Sequence, residues 1–172
     1  MERKAIIMRL SEKIEKALNA QIKEEFDSAY LYLSMAAYLK SKKFPGFAKW
    51  MEAQMQEEFT HAIKLYSYVN ERGGRVVLEG LKKPQENWNS PQEVFEAAYA
   101  HECYISDKID ELVRLARNEN DNATEGFLQW FVNEQVEEEA STSEIVDKFK
   151  FVGESKNGLF MLDNALGQRG EK

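Results

Sequence analysis

Glu58 and His61 stand three residues apart in Glu58-Phe59-Thr60-His61, a spacing that on a helix puts carboxylate and imidazole on nearly the same face. Glu-x-x-His is a metal-ligand spacing. Alone it is weak, because most helical glutamates are solvated. It gains weight from acids elsewhere in the chain. The apolar row that contains Glu58 reads Phe47, Met51, Met55, Glu58, Ala62, Leu65, Val69. An earlier row reads Ile14, Leu18, Ile22, Glu25, Ala29, Tyr32, Ala36, Leu39. Two later rows read Phe95, Ala98, Glu102, Ile105, Ile109, Leu112, Ala116 and Phe127, Phe131, Glu134, Glu138, Ser141, Ile145, Phe149, Val152. Every row carries a carboxylate near its middle.

Those rows require long helices. Three prolines and nine glycines fall at only a few places, so long segments keep a 3.6-residue period and no strand-like alternation appears. The first helix is expected from an N-cap at Ser11 to about Lys40, and the second from Pro45 to Glu71, stopped by Gly73-Gly74. The third starts after Ser90 at Pro91 and ends near Asn118; the fourth runs from about Ala123 to Val152, closed by Gly153. Asn157 to Gly167 can add one short helix. Short connections make the first two helices one antiparallel hairpin and the next two another. Between Gly74 and Ser90 lie about 17 aperiodic residues, which extended reach more than about 50 Å, against about 40 Å for a 27-residue helix. One end-to-end crossover fits, so the second and third helices should run parallel. The expectation is a single all-α domain over 1–172.

In four helices of similar length, mid-helix residues share one layer, so Glu25, Glu58, Glu102 and the Glu134–Glu138 turn are expected to converge inside the core. Buried carboxylates without partners are strongly unfavourable and repel one another. No Lys or Arg lies in the rows. Four negative charges match two divalent cations, and oxygen donors with one imidazole suit iron or manganese better than zinc or calcium. The rest of the composition excludes alternatives. With 23 basic and 30 acidic residues the net charge is −7, which argues against nucleic acid. One cysteine, Cys103, excludes an intrachain disulfide or a multi-thiolate centre and fits the cytoplasm. The run Ala5-Ile6-Ile7-Met8 is too short for a signal-peptide core, and no stretch is long enough to span a membrane.

Some neighbours invite plainer readings. Tyr32, one heptad from Glu25, and Trp130, four residues before Glu134, read first as core aromatics; a phenol at Tyr32 is also placed to donate an electron. His101 and Cys103 flank Glu102 but point about 100° away around the helix, and Met51 with Met55 fills core. Glu57, Glu134 and Glu137 can form a solvated acidic face or, sharing Glu138, a further all-oxygen cation site.

At Glu25…Tyr32, at Gln56-Glu57-Glu58-Phe59-Thr60-His61 and at the segment from Phe127 to Glu139, the chain resembles the prokaryotic non-haem ferritins, over about Leu10 to Gln168. The resemblance implies a ferritin-like bundle with a ferroxidase centre: Glu25, Glu58 and His61 around one iron, Glu58, Glu102 and Glu138 around the other, with Glu58 bridging and Gln135 hydrogen-bonding beside the second. It also implies a third iron at Glu57, Glu134, Glu137 and Glu138. Fe(II) would be oxidised by dioxygen or peroxide and stored as ferric mineral inside a homo-oligomeric shell of about 24 subunits. Acids at the start of the fourth helix, Asp121 and Glu125, would line three-fold channels, although acids there also suit the helix dipole. Bacterioferritins carry a second Glu-x-x-His on the fourth helix and a Met after the bridging Glu. Here those positions hold Gln135-x-x-Glu138 and Phe59, so no haem is expected. Rubrerythrin-type proteins need four cysteines, and cytokine-like bundles need two long crossovers.

Overall fold

A computed structural model describes residues 9–169; the Ala5–Met8 run lies outside them. Five helices follow one another: α1 (Glu12–Ser41), α2 (Pro45–Glu71), α3 (Pro91–Asn118), α4 (Asn122–Val152) and α5 (Lys156–Leu166). Their starts follow local chemistry. Ser11, Ser90, Asp121 and Ser155 each accept a backbone N–H three residues on, so one otherwise orphaned donor is satisfied at each start. The N-terminus of α2 has no cap of its own. Asp163 of α5 supplies one, accepting from the Gly46 and Phe47 backbone N–H groups at 3.2 and 2.8 Å. Gly46 is what permits that approach, since a Cβ there would lie 1.8 Å from the Asp163 carbonyl oxygen. Gly73 and Gly153, with φ of 69° and 57°, follow the ends of α2 and α4.

The crossover lies along α1. The Asn19 side chain donates to the Arg75 carbonyl and accepts from the Val77 N–H, Asp27 accepts from the Lys82 N–H, Ser34 donates to the Gln85 carbonyl and Tyr38 donates to the Trp88 carbonyl. Both sets of numbers increase together, so the strap runs parallel to α1. It therefore delivers α3 to the end of the bundle where α2 began, and α2 and α3 run parallel as expected. Among the described residues no helix is long and apolar enough to cross a membrane.

The core is in two parts. One cluster joins Leu18, Ile22, Leu65, Ile109, Leu128 and Phe131; the other joins Met35, Leu39, Phe47, Met51, Phe95 and Phe149. The buried acids lie between them along each helix. Helix α4 departs from the expected row: Leu128, Phe131, Gln135, Glu138 and Thr142 are buried, while Phe127, Glu134, Ser141 and Val152 are only partly so. The run Phe127-Leu128-Gln129-Trp130-Phe131-Val132 is apolar on several faces, so the local sequence does not fix the rotation. Phe127 is turned outward enough to stack on Tyr68, with ring centroids 3.8 Å apart. Met55 is likewise only half-buried.

Candidate metal centre

Glu25 of α1, Glu58 of α2 and Glu102 of α3 are each 1% exposed, and Glu138 of α4 is 6% exposed. Each helix thus brings one carboxylate into the layer between the apolar clusters. Ligand atoms fall into three sets, each within 4.8 Å: Glu25, Glu58 and His61; Glu58, Glu102 and Glu138; and His61, Glu134 and Glu138. Glu58 belongs to the first two. Nδ1 of His61 lies 3.4 Å from a Glu58 oxygen and 3.9 Å from Oε2 of Glu25, while Nε2 faces Glu134 at 3.8 Å. The imidazole is packed edge-on against Trp130 and Phe131.

Hydrogen bonds hold most of the carboxylate oxygens. Gln21 donates to Glu25 at 2.8 Å, and Gln54 donates to Glu138 at 2.6 Å and to Glu58 at 3.3 Å. Gln135 donates to both the side chain and the backbone carbonyl of Glu102, at 3.2 Å each. The Tyr32 hydroxyl donates to the other Glu102 oxygen. Oε2 of Glu25 is buried and accepts no hydrogen bond. Such an atom, beside an imidazole and a second carboxylate, suits a cation better than it suits an empty core.

Electrostatics agree. Burial pushes the Glu25 carboxyl well above the ordinary range, and the Glu58 charge adds to it. Burial, then the charges of Glu102 and Glu138, raises Glu58 in the same way. Glu102 and Glu138 are each pushed up to about 7, chiefly by burial. Burial, with Glu102 next in importance, also raises the Tyr32 phenol, which therefore stays protonated and can keep donating. These groups favour their neutral forms unless a positive charge joins them.

The family model for the ferritin-like domain matches residues 15–152. The chain belongs to the ferritin family. Among curated members, it is 45% identical to the bacterial non-heme ferritin of Bacteroides fragilis, over 93% of this chain and 99% of that one. It is 42% identical to the bacterial non-heme ferritin of Campylobacter jejuni, over 91% and 94%. Among solved structures, an open pore ferritin from the archaeon Archaeoglobus fulgidus superposes with a TM-score of 0.92 at 51% identity, covering 93% of this chain and 98% of that one. The all-α bundle is ferritin-like in architecture as well as in sequence.

Family membership does not make every expected ligand converge. Glu57 and Glu137 join no set of three ligand atoms among the described residues, and Glu57 is instead paired with Arg169 at 2.6 Å. Glu134 has Glu138 and His61 as its neighbours in place of Glu57 and Glu137. Asp121 caps α4 and pairs with Arg72 at 3.1 Å, and Glu125 pairs with Arg117 at 2.6 Å, so both acids are already engaged. Cys103 is half-buried. His101 points away from the acids but is not remote: it packs edge-on against Tyr32 and is bonded to Ser28 at 2.7 Å, and burial lowers its pKa to about 4.

Sequence reasoning missed the amides Gln21 and Gln54, although each precedes a ligand-type glutamate by four residues: Gln21-x-x-x-Glu25 and Gln54-x-x-x-Glu58. A buried amide one turn from a buried acid is a usable signal. Arg169 carried no such signal, because it acts across 112 residues of chain on Glu57.

Proposed function

We propose that the protein is an iron-storage ferritin whose acid layer is a di-iron ferroxidase centre, with the whole chain acting as one domain in the cytoplasm. The observation that carries this reading is the sharing of Glu58 between two buried ligand sets, one with the imidazole of His61 and one made of carboxylates alone. Two Fe(II) substrate ions would neutralise four carboxylates, and a shared carboxylate would keep them close enough to act on one dioxygen. Two Fe(II), one dioxygen and two protons then give two Fe(III) and one hydrogen peroxide. Oxygen donors favour the ferric product. Glu25, Glu58 and His61 hold the first ion, and Glu58, Glu102 and Glu138 the second. Gln135 and Tyr32 fix the Glu102 carboxylate, and Tyr32 is a candidate electron donor when reduction proceeds beyond peroxide.

A third, weaker iron station is proposed at Glu134 and Glu138, completed by Glu57 and Glu137. Glu57 would have to leave Arg169 to serve it.

Storage needs an enclosed volume, which one bundle lacks, so the chain is proposed to form a homo-oligomeric shell of about 24 copies. Its surface is compatible with self-association: Leu78, Phe151, Phe160 and Met161 are all more than half exposed, apolar area that a second copy could remove from water. Rapid mixing of Fe(II) with air, followed by absorbance and by particle mass, tests the reading. Fast oxidation by a large particle is expected. A small monomer that never oxidises iron would refute it.

A further inference from the structure

Beyond the end of α5, Arg169 lies along one face of α2. Its guanidinium lies over the Trp50 ring, 4.4 Å from the centroid, and donates to Oε1 of Gln54 at 2.8 Å and to Glu57 at 2.6 Å. Trp50, Gln54 and Glu57 are spaced four and three residues apart, so they form a single stripe on the helix. Gln54 is fully buried, and the other end of its amide meets the acid layer, donating to Glu138 and Glu58. An amide has one acceptor end and one donor end. Arg169 can only donate, and the carboxylates in the ionised form that holds a cation can only accept, so the three together then permit one orientation of Gln54.

We propose that Arg169 is a positioning residue for the second cation of the centre, acting through Gln54 on the Glu58 and Glu138 carboxylates. The inference rests on the reading of the acid layer as a two-cation site. Without Arg169, Oε1 of Gln54 loses its charged donor, and the amide can turn its oxygen toward the acids. Glu58 and Glu138 then lose the hydrogen bonds that aim them.

The sign of the effect separates this role from a simple charge effect. Arg169 is a positive charge near a cation site, so removing it should tighten cation binding if electrostatics alone mattered. Positioning through Gln54 requires weaker binding. Outer partners of metal ligands typically change affinity by about 10- to 100-fold, and a residue one step further out should change it by about 3- to 10-fold.

The test is titration of the full-length protein with Co(II), read by ligand-field absorbance, for the unmodified chain, Arg169→Leu, Arg169→Lys, Gln54→Leu and the double variant Gln54→Leu/Arg169→Leu. Thermal unfolding of each, without metal, controls for folding. The unmodified chain should bind two Co(II) tightly. Arg169→Leu should weaken the second by about 3- to 10-fold and change its absorbance, Arg169→Lys should recover part of the loss, and the double variant should match Gln54→Leu alone. Unchanged or tighter binding in Arg169→Leu, or a further loss in the double variant, would overturn the inference while leaving the two-cation reading intact. If Arg169→Leu does not fold, Arg169→Lys decides: affinity equal to or above that of the unmodified chain would overturn the inference. An unmodified chain that binds no Co(II) would overturn both.

Discussion

The acid layer and the two apolar ends that flank it are parts of the same four helices, yet they contribute to folding with opposite signs. Phe47 at one end is fully buried against Phe44, Phe95 and Phe149, and Leu18 and Leu65 are equally buried at the other. Each such side chain contributes roughly 1.5–3 kcal/mol by leaving water. The layer between them buries four carboxylates and one imidazole with no Lys or Arg among them, and burial raises the carboxyl pKa values as a result. The comparison teaches that the ends hold the fold, while the layer costs stability that bound cations would offset. Its geometry is maintained by amides, a phenol and aromatic packing, which orient carboxylates without neutralising them.

Substitutions should separate the two regions. Glu58→Ala removes the carboxylate common to two sets and is expected to slow Fe(II) oxidation by about 100-fold or more, beyond the loss typical of outer partners. The metal-free variant should unfold no more easily than the unmodified chain, because one source of repulsion is gone. Stopped-flow absorbance and urea unfolding check the two halves of that statement. Phe47→Ala should show the reverse pattern, losing about 3–5 kcal/mol in urea while any folded fraction still oxidises iron.

The pH dependence of stability should also divide the regions. Glu102 and Glu138 have folded pKa values near 7, against an ordinary value of 4.5. Between those values the folded state holds more protons than the unfolded one, so the stability of the metal-free chain should fall as pH rises through that window, and Glu25 and Glu58, also raised well above the ordinary range, add to the fall. Divalent cations should reverse the trend, since deprotonated ligands bind them. Melting temperatures at pH 5 and pH 7.5, with and without Co(II), measure both slopes. Glu138→Gln should flatten the metal-free slope in part; an unchanged slope would mean that Glu138 does not contribute to it.

The smallest expected effect is that of Tyr32→Phe. It keeps the buried ring and removes the hydroxyl that donates to Glu102. Loss of a transient radical signal, with the initial oxidation slowed by less than about tenfold, would support an electron-donor role. Unchanged kinetics without any radical in either protein would leave Tyr32 as core alone.

Most of the apolar scaffold was legible because its punctuation is local. Ser11, Ser90 and Gly153 act within one turn of their own positions, and three of the four apolar rows read with the correct face. Helix α4 was read with its row partly misplaced because its apolar residues wrap around the helix; Gln135 and Thr142 occupy buried positions that the sequence reading gave to Glu134 and Ser141. The convergence of mid-helix acids was legible from depth and face together. Its supports were less so. Asn19, Asp27, Ser34 and Tyr38 fasten the crossover, Asp163 caps α2 and Arg169 reaches Gln54. In sequence each is an ordinary polar residue, and only the tertiary fold brings it the distant partner it fastens.

The central claim is that the layer between the apolar ends is a site for two cations sharing Glu58. Anaerobic calorimetric titration with Fe(II), for the unmodified chain and for Glu58→Ala, tests it most directly. The account predicts two tight Fe(II) per chain in the first and none of comparable affinity in the second, with both proteins folded. No saturable binding in the unmodified chain, or two tight Fe(II) retained in Glu58→Ala, would contradict it.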